Sequence, residues 1–263
     1  MMSNTVTRLA ACSLALAILT FVGGCPKQEL PKVTVVAMID VSGSTTGAKG
    51  IRDQWSSEIQ QALKAFADDS PGNASFTRAA SITVASVTEN SVASGAIIQK
   101  ELPASAGLLG VHSEEKDARA KAVNECLSFV RKTLDASAGA SDIMSAMNRA
   151  GKYFVPADKS PKLLLLFSDM VEQTPRYDFA SDNLTQSRAK QIIEKEKSEN
   201  RLPSLQGVQV WVSGFAAADA HGLSAGKIQQ IQDFWIAYFQ AAGANIDASR
   251  IDRILSNFSI PRN

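Results

Sequence analysis

Two apolar runs, each ending next to an aspartate, constrain the fold of this chain more than any other feature of its sequence. The first, VTVVAMI at 33–39, is almost continuously apolar and β-branched and runs into Asp40. The second, KLLLLF at 162–167, is followed by Ser168 and Asp169. Strands with apolar residues on both faces occur in the middle of parallel sheets, where helices cover both sides. We therefore expect two central strands whose carboxyl ends each present an aspartate.

Helical patterns alternate with strand patterns along the rest of the chain. Apolar residues recur every three or four positions between Ile51 and Phe66, as on one face of an amphipathic helix. Further strands are expected at 81–87, 95–99 and 207–213, and further helices at 113–134, 142–153 and 225–242. The alternation predicts an α/β fold with a doubly wound, mostly parallel central sheet and helices on both faces. We interpret residues 32–263 as one domain, because they contain neither an internal repeat nor a linker-like segment.

The N-terminal segment differs from the rest. Arg8 precedes an apolar stretch at 9–22, which is followed by Gly23, Gly24 and Cys25. This order is typical of a secretory signal peptide, and the stretch is shorter than the roughly 20 residues of a membrane span. Residues 22–25, VGGC, resemble the lipobox of bacterial lipoproteins, in which cleavage precedes a cysteine that becomes acylated.

That resemblance implies a signal peptide at 1–24, a lipidated Cys25 and a tether at 25–31. The acyl chains, palmitate among them, would attach the mature chain to the bacterial cell membrane or outer membrane, facing the periplasm or the exterior. A plain signal peptide with a chance cysteine is the alternative.

Charge and cysteine content narrow the function classes. The chain has 27 basic and 26 acidic residues and a net charge of +1. Such a balance argues against nucleic-acid binding and against a polybasic membrane patch. If Cys12 is removed and Cys25 is acylated, Cys126 is the remaining thiol. It lies at apolar helical spacing, which indicates a small buried residue rather than a nucleophile.

The two strand-end aspartates point to a cation. In open α/β sheets, ligands bind beyond the carboxyl ends of the strands, so we expect Asp40 and Asp169 to meet there. Neighbouring carboxylates without a basic partner raise each other's pKa, and a divalent cation relieves the repulsion. Ser42 and Ser44 follow Asp40 at alternate positions and add hydroxyl oxygens, which suit Mg²⁺, Ca²⁺ or Mn²⁺ better than zinc. The alternative for each residue is a turn or a helix cap.

The same residues resemble a known family. Asp40-x-Ser42-x-Ser44 directly after an apolar first strand is similar to the metal-ion-dependent adhesion site (MIDAS) of von Willebrand factor type A (vWA) domains. That family completes the site with a threonine before a later helix and an aspartate after a central strand. Ser141, in GASDIMSAM at 139–147, stands at the threonine position, and Asp169 follows the expected strand. The resemblance covers about residues 33–243.

The resemblance implies a Mg²⁺ site, with Mn²⁺ or Ca²⁺ as the other candidates. Its metal ligands would be Asp40, Ser42, Ser44, Ser141 and Asp169. Asp142 and Glu172 are nearby acids that would support these ligands. Met170 follows Asp169 where the family usually has glycine.

Together, the lipobox and MIDAS resemblances imply a lipid-anchored envelope protein without enzymatic activity. A protein partner would present an acidic residue to the open position of the metal. One alternative is a structural envelope or secretion-assembly factor whose site is empty. A metal-dependent phosphatase with Asp40 as nucleophile is the other, but such enzymes have a second aspartate two residues on, where this chain has Ser42.

Overall fold

Strands and helices alternate along the chain in the computed structural model. The structure describes residues 32–43, 45, 50–68, 76–91, 95–106, 113–157, 159–215, 222–252, 255, 258 and 260. The strands are β1 (Val33–Asp40), β2 (Phe76–Thr77), β3 (Ala80–Val87), β4 (Ile97–Leu102), β5 (Ser105–Ala106), β6 (Lys162–Phe167), β7 (Val208–Ser213) and β8 (Ile251–Asp252). The helices are α1 (Ile51–Ala67), α2 (Ser113–Leu134), α3 (Ile143–Gly151), α4 (Gln186–Ser198) and α5 (Ala225–Ala241).

Six strands form one sheet in the order β4-β3-β1-β6-β7-β8. β1 lies between β3 and β6 and is parallel to both, and β7 and β8 continue the parallel pairing. β4 is antiparallel to β3, as expected for a short connection. β2 and β5 form a separate antiparallel pair. The predicted α/β class with a mostly parallel central sheet is confirmed.

Both faces of the sheet are covered, which accounts for the continuous apolar runs. On β1, Val35 and Ile39 belong to a core cluster with α1 and α2. Val36 and Met38 point to the other face and belong to a cluster with α3, α4 and α5. A strand at this position has no solvent-facing side, so its sequence cannot alternate between apolar and polar residues.

Helix boundaries follow local capping. α3 begins after Asp142, whose Oδ1 accepts a 3.2 Å hydrogen bond from Ser145 N, and it ends at Gly151, two residues before the predicted end. At α5, Ser224 Oγ accepts from Lys227 N, and Gly243 follows the helix with φ 85°. Glycine adopts this left-handed conformation without a steric penalty, as a helix stop requires.

The buried guanidinium of Arg119 on α2 joins three connections. Its nitrogens donate to the carbonyl oxygens of Phe66 (2.7 Å) and Ala67 (3.0 Å) at the end of α1. The same side chain donates to Arg78 O (2.9 Å) before β3 and to Pro103 O (2.5 Å) after β4. Arg119 therefore supplies donors to two carbonyl groups at the C-terminal end of α1, where intrahelical donors are lacking, and to one carbonyl group on each of two connections of the sheet.

Cys126 lies on α2 and is fully buried. Burial raises the pKa of its thiol to about 11, which keeps it protonated and unreactive. The interpretation of Cys126 as a small buried residue is confirmed. Among the described residues no helix combines the length and apolarity of a membrane span. The predicted signal peptide, tether and Cys25 lie outside the described residues.

Candidate metal centre

The carboxyl ends of β1 and β6 bring the first carboxylate and a serine together. Ile39 is paired with Phe167 in the parallel register, so Asp40 and Ser168 are the next residues on neighbouring strands. Ser168 Oγ donates a 2.7 Å hydrogen bond to Asp40 Oδ2. Both residues are buried, as is Asp169, which follows directly. The two aspartates are thus at the same sheet edge, as expected from the strand pattern.

Serine groups surround the carboxylate of Asp40. Ser42 N donates to Oδ1 at 2.9 Å. The hydroxyl oxygen of Ser141 lies 3.1 Å from Oδ1 and 3.0 Å from Oδ2. With Ser168, these contacts reach Asp40 from three separate segments, and every residue involved is buried. These contacts hold the Asp40 carboxylate in one orientation, out of contact with bulk water.

The electrostatics of Asp40 are unfavourable to its charge. Burial, followed by the nearby charge of Asp169, raises the pKa of Asp40 to about 6 from an ordinary value of 3.8. The hydrogen bonds from Ser168 and Ser42 lower it, but do not offset the first two effects. Asp40 therefore experiences the repulsion from Asp169 that the sequence predicted, in addition to the larger effect of burial.

The segment that carries Ser141 crosses the ends of two strands. Ala138 N donates to Val41 O at 2.7 Å, and residues 42 and 138 form a parallel bridge. Asp142 N donates to Thr88 O at 2.9 Å, which ties the segment to the end of β3. These backbone contacts place the Ser141 hydroxyl beside Asp40, 101 positions away in sequence.

The loop after β1 is held by a residue that the sequence did not single out. Thr45 is fully buried, and its hydroxyl donates to Ser42 O at 2.8 Å and to Asp40 O at 3.2 Å. These bonds fold the loop back on the strand end. Ser44, predicted as a ligand, lies outside the described residues.

Asp142 and Glu172 contact the start of α3. Besides its capping bond, Asp142 lies next to Ser141 in the chain. Glu172 is buried, and its Oε2 accepts from Ile143 N at 2.8 Å and Met144 N at 3.0 Å. Burial, and then the charge of Asp142, raise the pKa of Glu172 well above its ordinary value. The two acids anchor the helix that follows Ser141.

Asp169 occupies a tight turn. Its Oδ1 accepts from Val171 N at 3.0 Å, and Met170 N donates to Ser168 Oγ at 2.9 Å. Met170 has φ 62°, the left-handed conformation that glycine adopts most easily, and its side chain is buried in the core. Methionine therefore occupies a turn position at which glycine is the usual residue.

Ser168 is the functional candidate that sequence reasoning missed. Its position immediately before Asp169 was visible, but its contact with Asp40 depends on strand order and register. The signal that could have found it is the adjacency of two strands whose apolar runs end at the same level. Which strands are neighbours depends on the tertiary fold, so the sequence alone does not show that Ser168 reaches Asp40.

The donor set fits a hard divalent cation. Carboxylate and hydroxyl oxygens are the ligands of Mg²⁺, Mn²⁺ and Ca²⁺. No group of three or more His, Cys, Asp or Glu side chains able to hold a metal occurs in the described part of the chain. The candidate centre has two acidic residues and depends on serine oxygens for the remainder, so its composition differs from such a group.

Comparisons with known proteins find structural likeness only. No protein-family profile and no curated protein sequence matches the chain. Solved structures with a similar arrangement include a conserved hypothetical protein, BatB, from Bacteroides thetaiotaomicron (15% identity, TM-score 0.36, covering 69% of this chain and 66% of that one). Manganese-loaded TRAP protein from Plasmodium vivax is 19% identical with a TM-score of 0.30, covering 68% of this chain and 57% of that one.

A third structure is proximal thread matrix protein 1 from the mussel byssus, with a zinc-occupied MIDAS motif. It is 10% identical, with a TM-score of 0.36, and the match covers 76% of this chain and 39% of that one. The chain thus spans less than two thirds of the length of all three proteins.

Proposed function

We propose that this chain is a lipid-anchored, non-enzymatic binding protein of the bacterial cell envelope that engages a protein partner through a divalent cation. The observation that carries the proposal is the state of Asp40. This carboxylate is buried beside Asp169, is surrounded by serine groups, and has its pKa raised to about 6. A divalent cation in this position would offset both the burial and the repulsion.

The ligands would be Asp40, Ser42, Ser44, Ser141 and Asp169, as in the MIDAS that the sequence resembles. The cation, Mg²⁺ in the first instance and Mn²⁺ or Ca²⁺ otherwise, supplies a Lewis-acid position that can accept a further carboxylate oxygen. The described residues have preparatory roles. Ser168 and the backbone N–H of Ser42 orient Asp40, and the capping of α3 by Glu172 fixes the segment of Ser141.

The partner would be a protein that presents an acidic residue to the cation. Attachment to the membrane would come from acylation at Cys25, after removal of residues 1–24, and this depends on the lipobox resemblance alone. An envelope protein anchored through a tether of seven residues at 25–31 would hold its domain close to the membrane surface.

A second candidate function is a structural or assembly factor that uses the same fold without a cation. One observation favours it. The hydroxyl of Ser141 lies within hydrogen-bond distance of both oxygens of Asp40, and Ser168 donates to one of them, so the chain provides its own polar partners for this carboxylate. In that case the partner contacts other surfaces.

Calorimetric titration of the chain from Lys27 with Mg²⁺, Mn²⁺ and Ca²⁺ separates the two candidates. We expect saturable binding of one equivalent by the wild-type chain and its loss in Asp40→Ala. If titration of the wild-type chain gives only heats of dilution with all three cations, the assembly factor is favoured. The adhesion function would be supported by capture of a partner from envelope extracts, provided that EDTA abolishes the capture and Mg²⁺ restores it. Asp40→Ala should eliminate the capture.

The anchor is tested separately by fractionation. The wild-type chain should appear with the membranes and incorporate labelled palmitate, and Cys25→Ala should do neither. Equal incorporation of label by the wild-type and Cys25→Ala chains would contradict acylation at Cys25.

A further inference from the structure

The residue after Asp169 has a backbone conformation that needs external support. Met170 is fully buried and has φ 62°. Among the described residues, Asn200 is the other non-glycine residue with a positive φ, and asparagine tolerates this region well. A side chain such as methionine disfavours it, so surrounding contacts must hold the turn in place.

Trp235 on α5 supplies such a contact. Its indole Nε1 donates a 2.7 Å hydrogen bond to the Met170 carbonyl oxygen. Trp235 is itself fully buried, and its ring packs against Phe179 and Phe239 with centroid distances of 5.8 and 5.7 Å. The indole therefore cannot rotate away without disturbing the core, and the donor is fixed.

The same turn carries two residues of the candidate centre. Met170 N donates to Ser168 Oγ, and Val171 N donates to Asp169 Oδ1. Ser168 Oγ in turn donates to Asp40. A continuous path of hydrogen bonds thus leads from the indole of Trp235 through Met170 and Ser168 to the carboxylate of Asp40.

We propose that Trp235 is a positioning residue, which fixes the left-handed turn at Met170 and thereby the orientation of Ser168 and Asp169. Its effect on a cation rests on the proposed function, but its effect on the turn does not. Its burial alone would make Trp235 a core residue of α5. The hydrogen bond to Met170 assigns it a second role.

Trp235→Phe tests the proposal, because phenylalanine keeps an aromatic ring and removes the donor. Hydrogen exchange of the Met170 and Val171 amides should speed up at least tenfold relative to the β6 amides of Leu164 and Leu165. Tyr238→Phe is the control, since Tyr238 is buried on the same helix and the substitution keeps the ring that packs against Trp235, removing only a hydroxyl that has no hydrogen-bond partner among the described residues. It should leave that ratio unchanged. An unchanged ratio in Trp235→Phe overturns the proposal.

Titration with Mn²⁺ gives the second readout. Substitution of residues that orient metal ligands typically lowers metal affinity 10- to 100-fold. We therefore expect the Mn²⁺ affinity of Trp235→Phe to fall by about tenfold or more. Faster exchange with unaltered affinity would overturn the role of Trp235 at the centre. If the wild-type chain binds no cation while the exchange ratio still rises, the proposed function fails and the role of Trp235 in the turn stands.

An isosteric variant covers the case in which Trp235→Phe does not fold. Benzothienylalanine at position 235 keeps the two-ring shape and replaces the N–H with sulfur. It should give the same increase in exchange at Met170 and Val171, and normal protection of these amides would count against the proposal.

Discussion

Ser168 at the end of β6 donates a 2.7 Å hydrogen bond to Asp40 at the end of β1, across 128 positions of sequence. The two strands are parallel neighbours, so this bond links their ends at the level where the second carboxylate, Asp169, follows.

Asp40→Asn should abolish cation binding and stabilise the cation-free chain above pH 7. Asparagine has the shape of aspartate but no charge, so burial and the repulsion from Asp169 no longer oppose folding. The rise in pKa from 3.8 to about 6 corresponds to about 3 kcal/mol, the upper limit of the gain. Urea denaturation in EDTA measures it. Destabilisation of Asp40→Asn at pH 8 would contradict the account of Asp40.

Cation affinity should rise with pH and then level off. Protonated Asp40 is a poor ligand, so affinity should rise about tenfold from pH 5 to pH 7 and stay constant above it. Stability in EDTA should change in the opposite sense. Because the folded state has the higher pKa, the contribution of Asp40 is greatest below pH 3.8 and is lost as the pH rises through 6. Calorimetry and urea denaturation at matched ionic strength test both trends.

Ser141→Ala should weaken cation binding by about tenfold, because it removes a hydroxyl beside both oxygens of Asp40. Ser141→Thr keeps the hydroxyl and should bind as well as the wild-type chain or better. Ser145→Ala, four residues later on α3, is the matched control and should leave binding unchanged. Equal affinities for Ser141→Ala and Ser145→Ala would exclude Ser141 from the ligand set.

Glu172→Gln should be tolerated and Glu172→Ala should not. Glutamine keeps an oxygen acceptor for the amides of Ile143 and Met144, and its neutrality suits a site where burial and Asp142 raise the pKa of Glu172. Alanine leaves two amides at the start of α3 without their acceptor, which should lower the free energy of unfolding by about 2–3 kcal/mol. Urea denaturation of both variants measures the difference. Equal losses would indicate that the charge, rather than the acceptor, matters.

Arg119→Leu should destabilise the fold without altering cation affinity. The substitution removes the donors to four carbonyl groups, among them Phe66 O and Arg78 O. We expect a loss of about 3 kcal/mol or more in the free energy of unfolding. Arg52→Leu, which removes a single exposed bond to Ala136 O, is the control and should cost less than about 1 kcal/mol. A fall in cation affinity in folded Arg119→Leu would contradict the separation of the two effects.

The sequence predicted the sheet well because burial on both faces leaves a continuous apolar pattern. The run at 33–39 became β1, and the amphipathic spacing from Ile51 to Phe66 became α1. The C-terminal segment was harder. Its last strand, β8, has only two residues, which is too short to give a recognisable pattern. β8 pairs with β7, and the ring of Phe258 packs against Trp211.

The candidate centre was predictable in part. The convergence of Asp40 and Asp169 followed from the rule that parallel strands end at one edge. The contact of Ser168 with Asp40 depends on register, and the donation from Trp235 to Met170 depends on how α5 packs. Both contacts are properties of tertiary structure, so local spacing in the sequence does not predict them.

The two edges of the sheet determine whether neighbouring copies of this chain could join by pairing their strands. Among the described residues, one edge is β8, with two residues, and the other is β4, which carries Lys100 and Glu101 among alternating exposed and half-buried positions. Short and charged edges offer little backbone for a second sheet to extend. Crowding on a surface should therefore leave the chains as separate particles, rather than joining their sheets into fibres.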